Sequence, residues 1–423
     1  MSAPAETVEA GTLRLATAGS VDDGKSTLVG RLLHDSKSVL ADQLESISRT
    51  GTPDLALLTD GLRAEREQGI TIDVAYRYFA TPRRRFILAD TPGHVQYTRN
   101  MVTGASTADL AVVLVDARNG VVEQTRRHAA IAAMLRVPRV VLAVNKMDLV
   151  GYEEAVFARI KGEFAAHAGE LGIPEHHITA IPISALAGDN VVEPSARMGW
   201  YGGPTVLEHL ESVPVTGESP SAPARFPVQY VIRHGEFRYY AGQLVSGALR
   251  VGDAVTVHPS GRTSTIAALD VLGTRVEEAH AGASITVRLA DELDVARGDV
   301  IAPSGGRGPT VTRDVRGAVC HLADRVLRVG ERVLVRHGTR TVRGVVKSLG
   351  GAGELAVNDL GVVVLRTAEP LPLDGYAEVR RTGAFLLVDP ADGMTLTAGM
   401  AETVSTSRGS APDPAGSRSK GGA

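Results

Sequence analysis

The sequence is short of several features, and each shortage excludes a class of protein. Cys320 is the only cysteine among 423 residues, so one chain can form neither an internal disulfide nor a zinc site built on several thiolates. The apolar runs are of strand length and are interrupted by charges, as at 110–116, so we expect no membrane span. The first residues lack the basic start and apolar core of a signal peptide, and we expect a cytoplasmic protein.

An excess of basic charge is also missing. The chain carries 45 lysine and arginine residues against 48 aspartate and glutamate residues, which leaves a formal net charge of −3. Proteins that bind nucleic acid mainly through its phosphates usually have a clear basic excess, so we expect no nucleic-acid partner. The positive charges are nearly all arginine, and lysine is confined to Lys25, Lys37, Lys146, Lys161, Lys347 and Lys420.

The first half of the chain alternates segments of strand and helix character. This alternation predicts a doubly wound α/β domain with a mostly parallel sheet. The runs at 111–115 and 140–144 are continuously apolar, which is the pattern of strands buried on both faces. We expect this domain to span 13–211, after a flexible N-terminus at 1–12.

Beyond residue 212 the pattern changes to short alternating runs separated by turn residues. Proline and serine predict a linker at 212–225. Short strands punctuated by glycine are typical of small closed sheets, so we predict two β-barrels, at 226–303 and 310–405. The last segment, 406–423, is rich in Gly, Ser, Pro and Ala and is predicted to be disordered.

A phosphate-binding loop is predicted between the first strand and the first helix. The stretch 19–26 fits the pattern G-x-x-x-x-G-K-S, whose glycines let backbone N–H groups surround phosphates at a helix N-terminus. Lys25 would reach the β- and γ-phosphates, and Ser26 would bind Mg²⁺. A glycine turn that matches by chance is the alternative. The scarcity of lysine weighs against it, because a broad, planar arginine cannot replace a compact ammonium in such a loop. The predicted nucleotide contacts of this loop are Gly19, Ser20, Val21, Asp22, Asp23, Gly24, Lys25, Ser26 and Thr27.

Three further motifs follow the ends of predicted strands, in the order Asp90-Thr91-Pro92-Gly93-His94, Asn145-Lys146-Met147-Asp148 and Ser184-Ala185-Leu186. An acid at the first can hold Mg²⁺ through water, and a glycine N–H there can meet a γ-phosphate. An amide and a carboxylate at the second can read a guanine edge, and the third can close over the base. Each motif alone has a plainer alternative, such as a strand-ending turn.

In this order, the four motifs resemble those of P-loop GTPases of the translation-factor type, over about the first 210 residues. By this resemblance, 65–72 is the first switch segment, and Thr71 binds Mg²⁺ together with Ser26 and Asp90. The resemblance also makes His94 the catalytic residue that orients the attacking water, flanked by Val21 and Ile70. A turn histidine with a surface role is the alternative for His94.

The resemblance narrows within that superfamily. The stretches 20–28, 31–37, 54–68, 73–79, 94–101, 200–205 and 381–389 resemble the large, GTP-hydrolysing subunit of bacterial sulfate adenylyltransferase, subunit 1. Translation factors usually have a histidine at the position of Asp23. The resemblance extends from about 13 to about 402 and is strongest in the first domain.

The resemblance implies an α/β P-loop GTPase domain followed by two β-barrels, with GTP and Mg²⁺ as cofactors and a role in sulfate assimilation. It also implies a heteromeric complex with a small catalytic ATP sulfurylase subunit, subunit 2. That subunit makes adenosine 5′-phosphosulfate and pyrophosphate from ATP and sulfate, driven by GTP hydrolysis on this chain. The alternatives are an elongation-factor-type GTPase that delivers aminoacyl-tRNA, which the net charge of −3 does not favour, and a nucleotide-dependent scaffold without enzymatic activity.

Overall fold

A computed structural model describes residues 10–36, 74–94, 98–214, 222–235 and 237–402 of the chain. The first switch segment predicted at 65–72, with Thr71 and Ile70, lies outside the described residues. So does the tail predicted at 406–423.

The first domain is a six-stranded α/β sheet with helices on both faces. Its elements are β1 (Ala10–Ala18), α1 (Lys25–Asp35), β2 (Ala75–Ala80), β3 (Arg84–Asp90), α2 (Thr98–Ala105), β4 (Leu110–Asp116), α3 (Glu123–Met134), β5 (Arg139–Asn145), α4 (Glu154–Glu170), β6 (Ile178–Pro182) and α5 (Val206–Ser212). Two 3₁₀ turns lie at Met147–Val150 and Glu175–His177. The strand order is β2-β3-β1-β4-β5-β6, and only β2 runs antiparallel to its neighbour. The predicted mostly parallel α/β fold is confirmed.

The two faces of this sheet carry separate apolar cores. Along β4, Val113 and Val115 pack with α3 and α4, whereas Val112 and Leu114 pack with α1 and α5. This division follows from the alternation of side chains along a strand, and it explains why β4 is apolar at nearly every position.

The carboxyl ends of β1, β4, β5 and β6 lie at one edge of the sheet, because these strands are parallel in register. Strand β3 is parallel to β1 and ends at the same edge. The four sequence motifs directly follow β1, β3, β5 and β6, so the topology brings them together. Ligands of open α/β sheets bind outside this edge.

The second domain is an antiparallel sheet. Its strands are β7 (Phe226–Pro227), β8 (Tyr230–His234), β9 (Phe237–Gln243), β10 (Ala248–Arg250), β11 (Ala254–His258), β12 (Arg262–Val271), β13 (Thr274–Val276), β14 (Glu278–His280), β15 (Ser284–Leu289) and β16 (Val300–Pro303). Eight of them form one sheet in the order β7-β16-β11-β12-β15-β9-β8, with β13 beside β12, and β10 pairs with β14.

The third domain contains the closed barrel. Its elements are β17 (Thr310–His321), β18 (Leu327–Arg328), β19 (Arg332–His337), β20 (Arg340–Ser348), β21 (Glu354–Leu355), β22 (Leu360–Leu373), α6 (Arg380–Gly383), β23 (Ala384–Val388) and β24 (Thr395–Ala401). The barrel closes in the order β17-β22-β20-β19-β23-β24. Two small β-barrels were predicted after the α/β domain; the third domain is a closed barrel, and the second has the eight-stranded and two-stranded sheets described above.

A buried ion pair joins the second and third domains. Arg225 and Asp374 lie 2.9 Å apart with side chains only 1% and 3% exposed. Thr382 also donates to Asp374, at 2.6 Å, and Arg225 donates to the carbonyl of Arg307 at 2.6 Å. Removing one member of such a pair leaves an uncompensated buried charge, so this contact between the two domains is costly to break.

The third domain also packs against the first. Tyr376 donates its hydroxyl to the carbonyl of Leu135, just after α3, at 3.0 Å. Arg380 donates to the carbonyls of Ser106 and Ala108, just after α2, at 3.1 and 3.3 Å. Cys320 lies in the apolar cluster that covers this face of the first domain, and burial raises the pKa of its thiol to about 12.

Two expected boundaries differ from the elements observed. Strand β1 begins at Ala10, inside the segment predicted as a flexible N-terminus, because Ala10 pairs with Arg84 of β3. The predicted linker 212–225 ends in Arg225, which the interdomain ion pair buries. In the described ranges, every helix is too short or too polar to cross a membrane.

Candidate nucleotide-binding site

The loop between β1 and α1 requires glycine at its last position. Gly24 adopts a left-handed conformation, with φ at 92°, and directly precedes the first residue of α1. A Cβ on Gly24 would collide with the side-chain amide nitrogen of Asn145. No side chain caps α1 and no acidic residue lies in its first turn, so its terminal N–H groups can take an anion.

Lys25 lies inside this loop. Its ammonium donates to the carbonyls of Gly19 and Ser20, at 2.9 and 2.8 Å. Burial lowers the pKa of Lys25, while Asp23 and Asp90 act in the opposite direction. The ammonium is therefore held where a bound phosphate would meet it, with loop carbonyls as its present partners.

Asp90, at the end of β3, is positioned by the neighbouring strand. The Thr17 hydroxyl donates to its carboxylate at 2.9 Å, and the Thr91 hydroxyl donates to the Thr17 carbonyl at 2.5 Å. All three residues are buried. These two hydrogen bonds between β1 and the end of β3 hold the second motif beside the phosphate loop.

The rest of the second motif lies against the phosphate loop. Pro92 and Gly93 are buried, and a Cβ on Gly93 would collide with the ammonium of Lys25 and lie 2.6 Å from the Gly19 carbonyl. Only glycine allows this close approach of the backbone. His94 follows and is exposed, where solvent can reach its ring.

Ser26 and Asp90 offer oxygen donors of the kind that Mg²⁺ prefers, a hydroxyl and a carboxylate. Ser26 lies in the first turn of α1, and Asp90 ends β3. The residues present therefore fit this metal. The third predicted ligand, Thr71, lies outside the described residues.

Asn145 links three parts of the site. Its amide nitrogen donates to the Asp23 carbonyl at 2.8 Å, and its amide oxygen accepts from the Ala185 N–H at 2.9 Å. Both hydrogen bonds are buried. One side chain thus ties the phosphate loop to the two motifs that were predicted to surround the base.

Lys146 is turned back over the phosphate loop. Its backbone is left-handed, with φ at 64°, and its ammonium donates to the Asp22 carbonyl and pairs with Asp116 at 2.9 Å. Burial raises the pKa of Asp116, but hydrogen bonds from Arg118 and Lys146 outweigh burial and bring it down to about 2. Asp116 is therefore ionised at neutral pH, and it holds Lys146 over the phosphate loop.

Asp148 is half-buried, and its carboxylate has no hydrogen-bond partner among the residues that the structure describes. The preceding residue, Met147, is fully buried and its N–H donates to the Ile183 carbonyl at 3.2 Å. Ser184 is buried and accepts from the Ala187 N–H at 3.2 Å, whereas Leu186 is 73% exposed. The arrangement leaves one carboxylate free to read a ligand beside an exposed apolar side chain.

Sequence reasoning missed three residues of this site. Arg31, on α1, donates to the carbonyls of Ala185 at 3.2 Å and Leu186 at 2.5 Å. Thr17 orients Asp90, and Asp116 anchors Lys146. Asp116 had a usable signal, an acid that ends a fully apolar strand, whereas nothing in the local sequence marks the long-range partners of Arg31 and Thr17.

The comparisons with known families agree with this architecture. The family model "Elongation factor Tu GTP binding domain" matches residues 11–224. The model "GTP-eEF1A C-terminal domain-like" matches residues 315–402.

Relatives that match nearly the whole of this chain identify the family more narrowly than these two models do. A protein named "Bifunctional enzyme CysN/CysC" from Mycobacterium tuberculosis is 52% identical over 92% of this chain and 67% of its own length. "Sulfate adenylyltransferase subunit 1" from Aeromonas hydrophila is 48% identical over 92% of this chain and 85% of its own length. The protein of the same name from Methylorubrum populi is 48% identical over 96% of this chain and 91% of its own length.

Proposed function

This chain belongs to the family of sulfate adenylyltransferase subunit 1, and we propose that it couples GTP hydrolysis to sulfate activation by a separate small subunit. The chain is the GTPase type of subunit, with a translation-factor GTP-binding domain and enzyme relatives along nearly its whole length. These relatives favour sulfate activation over the alternative of aminoacyl-tRNA delivery. We place the protein in the cytoplasm, where a nucleotide-driven assimilation step would have its substrates.

One observation supports the guanine-nucleotide site most strongly. Asn145 hydrogen-bonds at once to the phosphate loop and to the segment 184–186. Three motifs that are far apart in the sequence are therefore joined, and Gly93 of the fourth motif packs against Lys25. We propose that Lys25 and the loop N–H groups bind the phosphates, that Asp148 accepts from the guanine N1–H and 2-amino group, and that Leu186 covers the base.

Mg²⁺ belongs to the same proposal. Ser26 and Thr71 would bind it directly and Asp90 through water. The ion would neutralise charge that develops on the phosphates during transfer. The contribution of the chain is to hold these oxygens beside Lys25, and the Thr17 hydroxyl keeps Asp90 in place for that purpose.

His94 is the catalytic residue that we propose for hydrolysis. It directly follows Gly93, which packs against Lys25, and it is exposed. Positioning a water matters mainly in the transition state. His94→Ala should therefore lower kcat at least about tenfold and leave GTP affinity nearly unchanged. A large loss of affinity with normal kcat would contradict this role.

Coupling has a thermodynamic basis. Adenosine 5′-phosphosulfate contains a phosphoric–sulfuric anhydride, so its formation from ATP and sulfate is unfavourable and needs a second source of free energy. GTP hydrolysis can supply it only if the small subunit binds the GTP and GDP states of this chain with different affinities. We propose that two segments report the nucleotide state: 91–100, which follows β3, and 60–72, which contains the predicted first switch.

The decisive experiment compares this chain alone, the small subunit alone and their mixture. GTP hydrolysis and sulfate-dependent pyrophosphate release are measured in each, with and without GTP. We expect slow GTP turnover by the isolated chain, faster turnover on adding partner, ATP and sulfate, and GTP-dependent adenylylsulfate formation only in the mixture.

Two results would contradict the proposal. Sulfate adenylation by this chain alone would refute the division of labour between the subunits. GTP turnover that does not respond to partner, ATP and sulfate would refute the coupling. As a control, Lys25→Met in the mixture should abolish the GTP effect and leave the basal adenylation of the small subunit intact.

A further inference from the structure

The phosphate loop contains a buried carboxylate that the proposed GTPase cycle does not use. Asp23 is only 5% exposed. Its carboxylate accepts a hydrogen bond from the Ser20 N–H at 2.5 Å, and its own N–H donates to the Ser20 carbonyl at 3.3 Å. The Ser20 carbonyl also accepts from Lys25. Asp23 therefore holds, through its carboxylate and its N–H, the residue to which the lysine is bonded.

Charges of both signs surround this carboxylate. Burial disfavours its charge most strongly and raises the pKa of Asp23, and Asp116 acts in the same direction. The Ser20 N–H, Lys25 and Lys146 act the other way. Conversely, Asp23 is the leading charge that stabilises the ammonium of Lys25. Asp23 therefore neutralises part of the positive charge that the loop offers to a ligand.

A guanine nucleotide would bring further negative charge to this loop. A buried like charge opposes such a ligand, because water is not there to screen the repulsion. The exposed carboxylate of Asp22 is better screened, since solvent reaches it. The effect is thus expected from Asp23 in particular.

We propose that Asp23 has two opposing roles at the phosphates. Its hydrogen bond to Ser20 keeps the loop in its binding shape, and its charge weakens the hold on the nucleotide. The result is a loop from which GDP dissociates without an exchange protein. This inference rests on the nucleotide site of the proposed function and is independent of the sulfate chemistry.

The test is Asp23→Asn in the full chain. The amide oxygen can still accept from the Ser20 N–H, whereas the negative charge is gone. With a fluorescent GDP analogue and saturating Mg²⁺, the Kd should fall about tenfold, which corresponds to roughly 1.4 kcal/mol, mainly through slower dissociation. An unchanged or higher Kd, with the variant folded by circular dichroism, would overturn the proposal.

Asp23→Ala separates the two roles, because it removes the hydrogen bond together with the charge. We expect it to bind GDP more weakly than Asp23→Asn does. Equal affinity of the two variants would overturn the role of the hydrogen bond. Glu170→Gln is the matched control, since Glu170 is 78% exposed at the end of α4, and the chain runs from there to the start of β6, at the opposite edge of the sheet from the loop. It should bind GDP as the parent does.

The experiment also distinguishes failure of the nucleotide-site assignment from failure of the proposed role of Asp23. If the parent chain bound neither GDP nor GTP, the nucleotide assignment itself would be refuted. A parent that binds both nucleotides, with Asp23→Asn no tighter, refutes only the role of Asp23.

Discussion

The base side and the phosphate side of the site are organised differently. On the base side, Asn145 and Arg31 hold the backbone of 185–186 from two directions, and the Asp148 carboxylate remains free of hydrogen bonds within the described chain. On the phosphate side, Lys25 is already hydrogen-bonded to the carbonyls of Gly19 and Ser20. On the base side the backbone is held and one carboxylate faces the ligand, whereas on the phosphate side the loop carbonyls use two of the three donors of the Lys25 ammonium.

The difference between the base side and the phosphate side suggests that each contributes differently to nucleotide binding. A preformed site contributes specificity at little cost in ordering. A cation held inside the phosphate loop acts on the full negative charge of the phosphates. We therefore expect substitutions on the phosphate side to change affinity most, and substitutions on the base side to change selectivity.

The largest effect should come from Lys25→Met. It removes a buried ammonium and keeps much of the side-chain volume, so GTP and GDP affinity should fall by roughly 2–5 kcal/mol, about 30-fold or more. Nucleotide Kd values measured by calorimetry test this. Lys161→Met is the control, because Lys161 is exposed on α4. A Lys25→Met chain that binds normally would remove the phosphate role.

Asn145→Ala tests whether the two sides are mechanically joined. It leaves the Asp23 carbonyl and the Ala185 N–H buried without their partner, which costs about 1–3 kcal/mol for each group. Guanine nucleotide affinity and the stability to urea should both fall.

The matched control for Asn145→Ala is Asn190→Ala. Asn190 is also buried, but its amide bonds to the Pro182 carbonyl and the Ser195 N–H, away from the phosphate loop. It should lower stability with a smaller loss of nucleotide affinity. Equal losses of affinity in both variants would mean that the link through Asn145 has no special role.

Asp148→Asn should change selectivity. An amide in place of the carboxylate suits xanthine better than guanine, and a bidentate base contact is worth roughly 1–3 kcal/mol. Competition between GTP and XTP measures the switch. Asp189→Asn is the control, because Asp189 already accepts from Tyr152 and Ser195. Unaltered preference for GTP in Asp148→Asn would show that another group reads the base.

The smallest effect should come from Arg31→Ala. The loss of two hydrogen bonds to backbone carbonyls should weaken guanine nucleotide binding by about 0.5–1.5 kcal/mol, since the guanidinium is only partly buried. Arg31→Lys should retain part of the effect, because an ammonium lacks the planar fork of arginine. Titration with a fluorescent GDP analogue resolves both variants. Identical affinities for parent and Arg31→Ala would show that Asn145 alone positions 185–186.

The features that could be predicted from the sequence are those formed by residues close together in the chain. Each of the four motifs directly follows its own strand, and apolar runs with turn residues mark those strands. The predicted α/β domain and the order of its motifs follow from this. The helix α2 was not predicted, although Met101, Val102 and Ala105 have helical spacing and are buried, because two turns are too few for that spacing to stand out.

Contacts between distant residues could not be predicted in the same way. The ion pair of Arg225 with Asp374 joins residues 149 positions apart, and the Arg31 contact with Ala185 joins residues 154 apart. Nothing around any of these four residues distinguishes it from other charged or small residues. Such pairs depend on how the strands stack and on which domain faces lie together, and one sequence does not contain that information.

The two hydrogen bonds from Arg380 anchor the residues just after the C-terminal end of α2 to the third domain. They hold the carbonyls of Ser106 and Ala108, and a cation at that end of a helix is favoured by its dipole. Helix α2 has 8 residues, so it is about 12 Å long. A tilt of about 10° about the anchored end would therefore move its opposite end by about 2 Å. That opposite end is the one nearer in sequence to His94. The third domain thus fixes one end of a short helix whose other end begins four residues after His94 in the sequence.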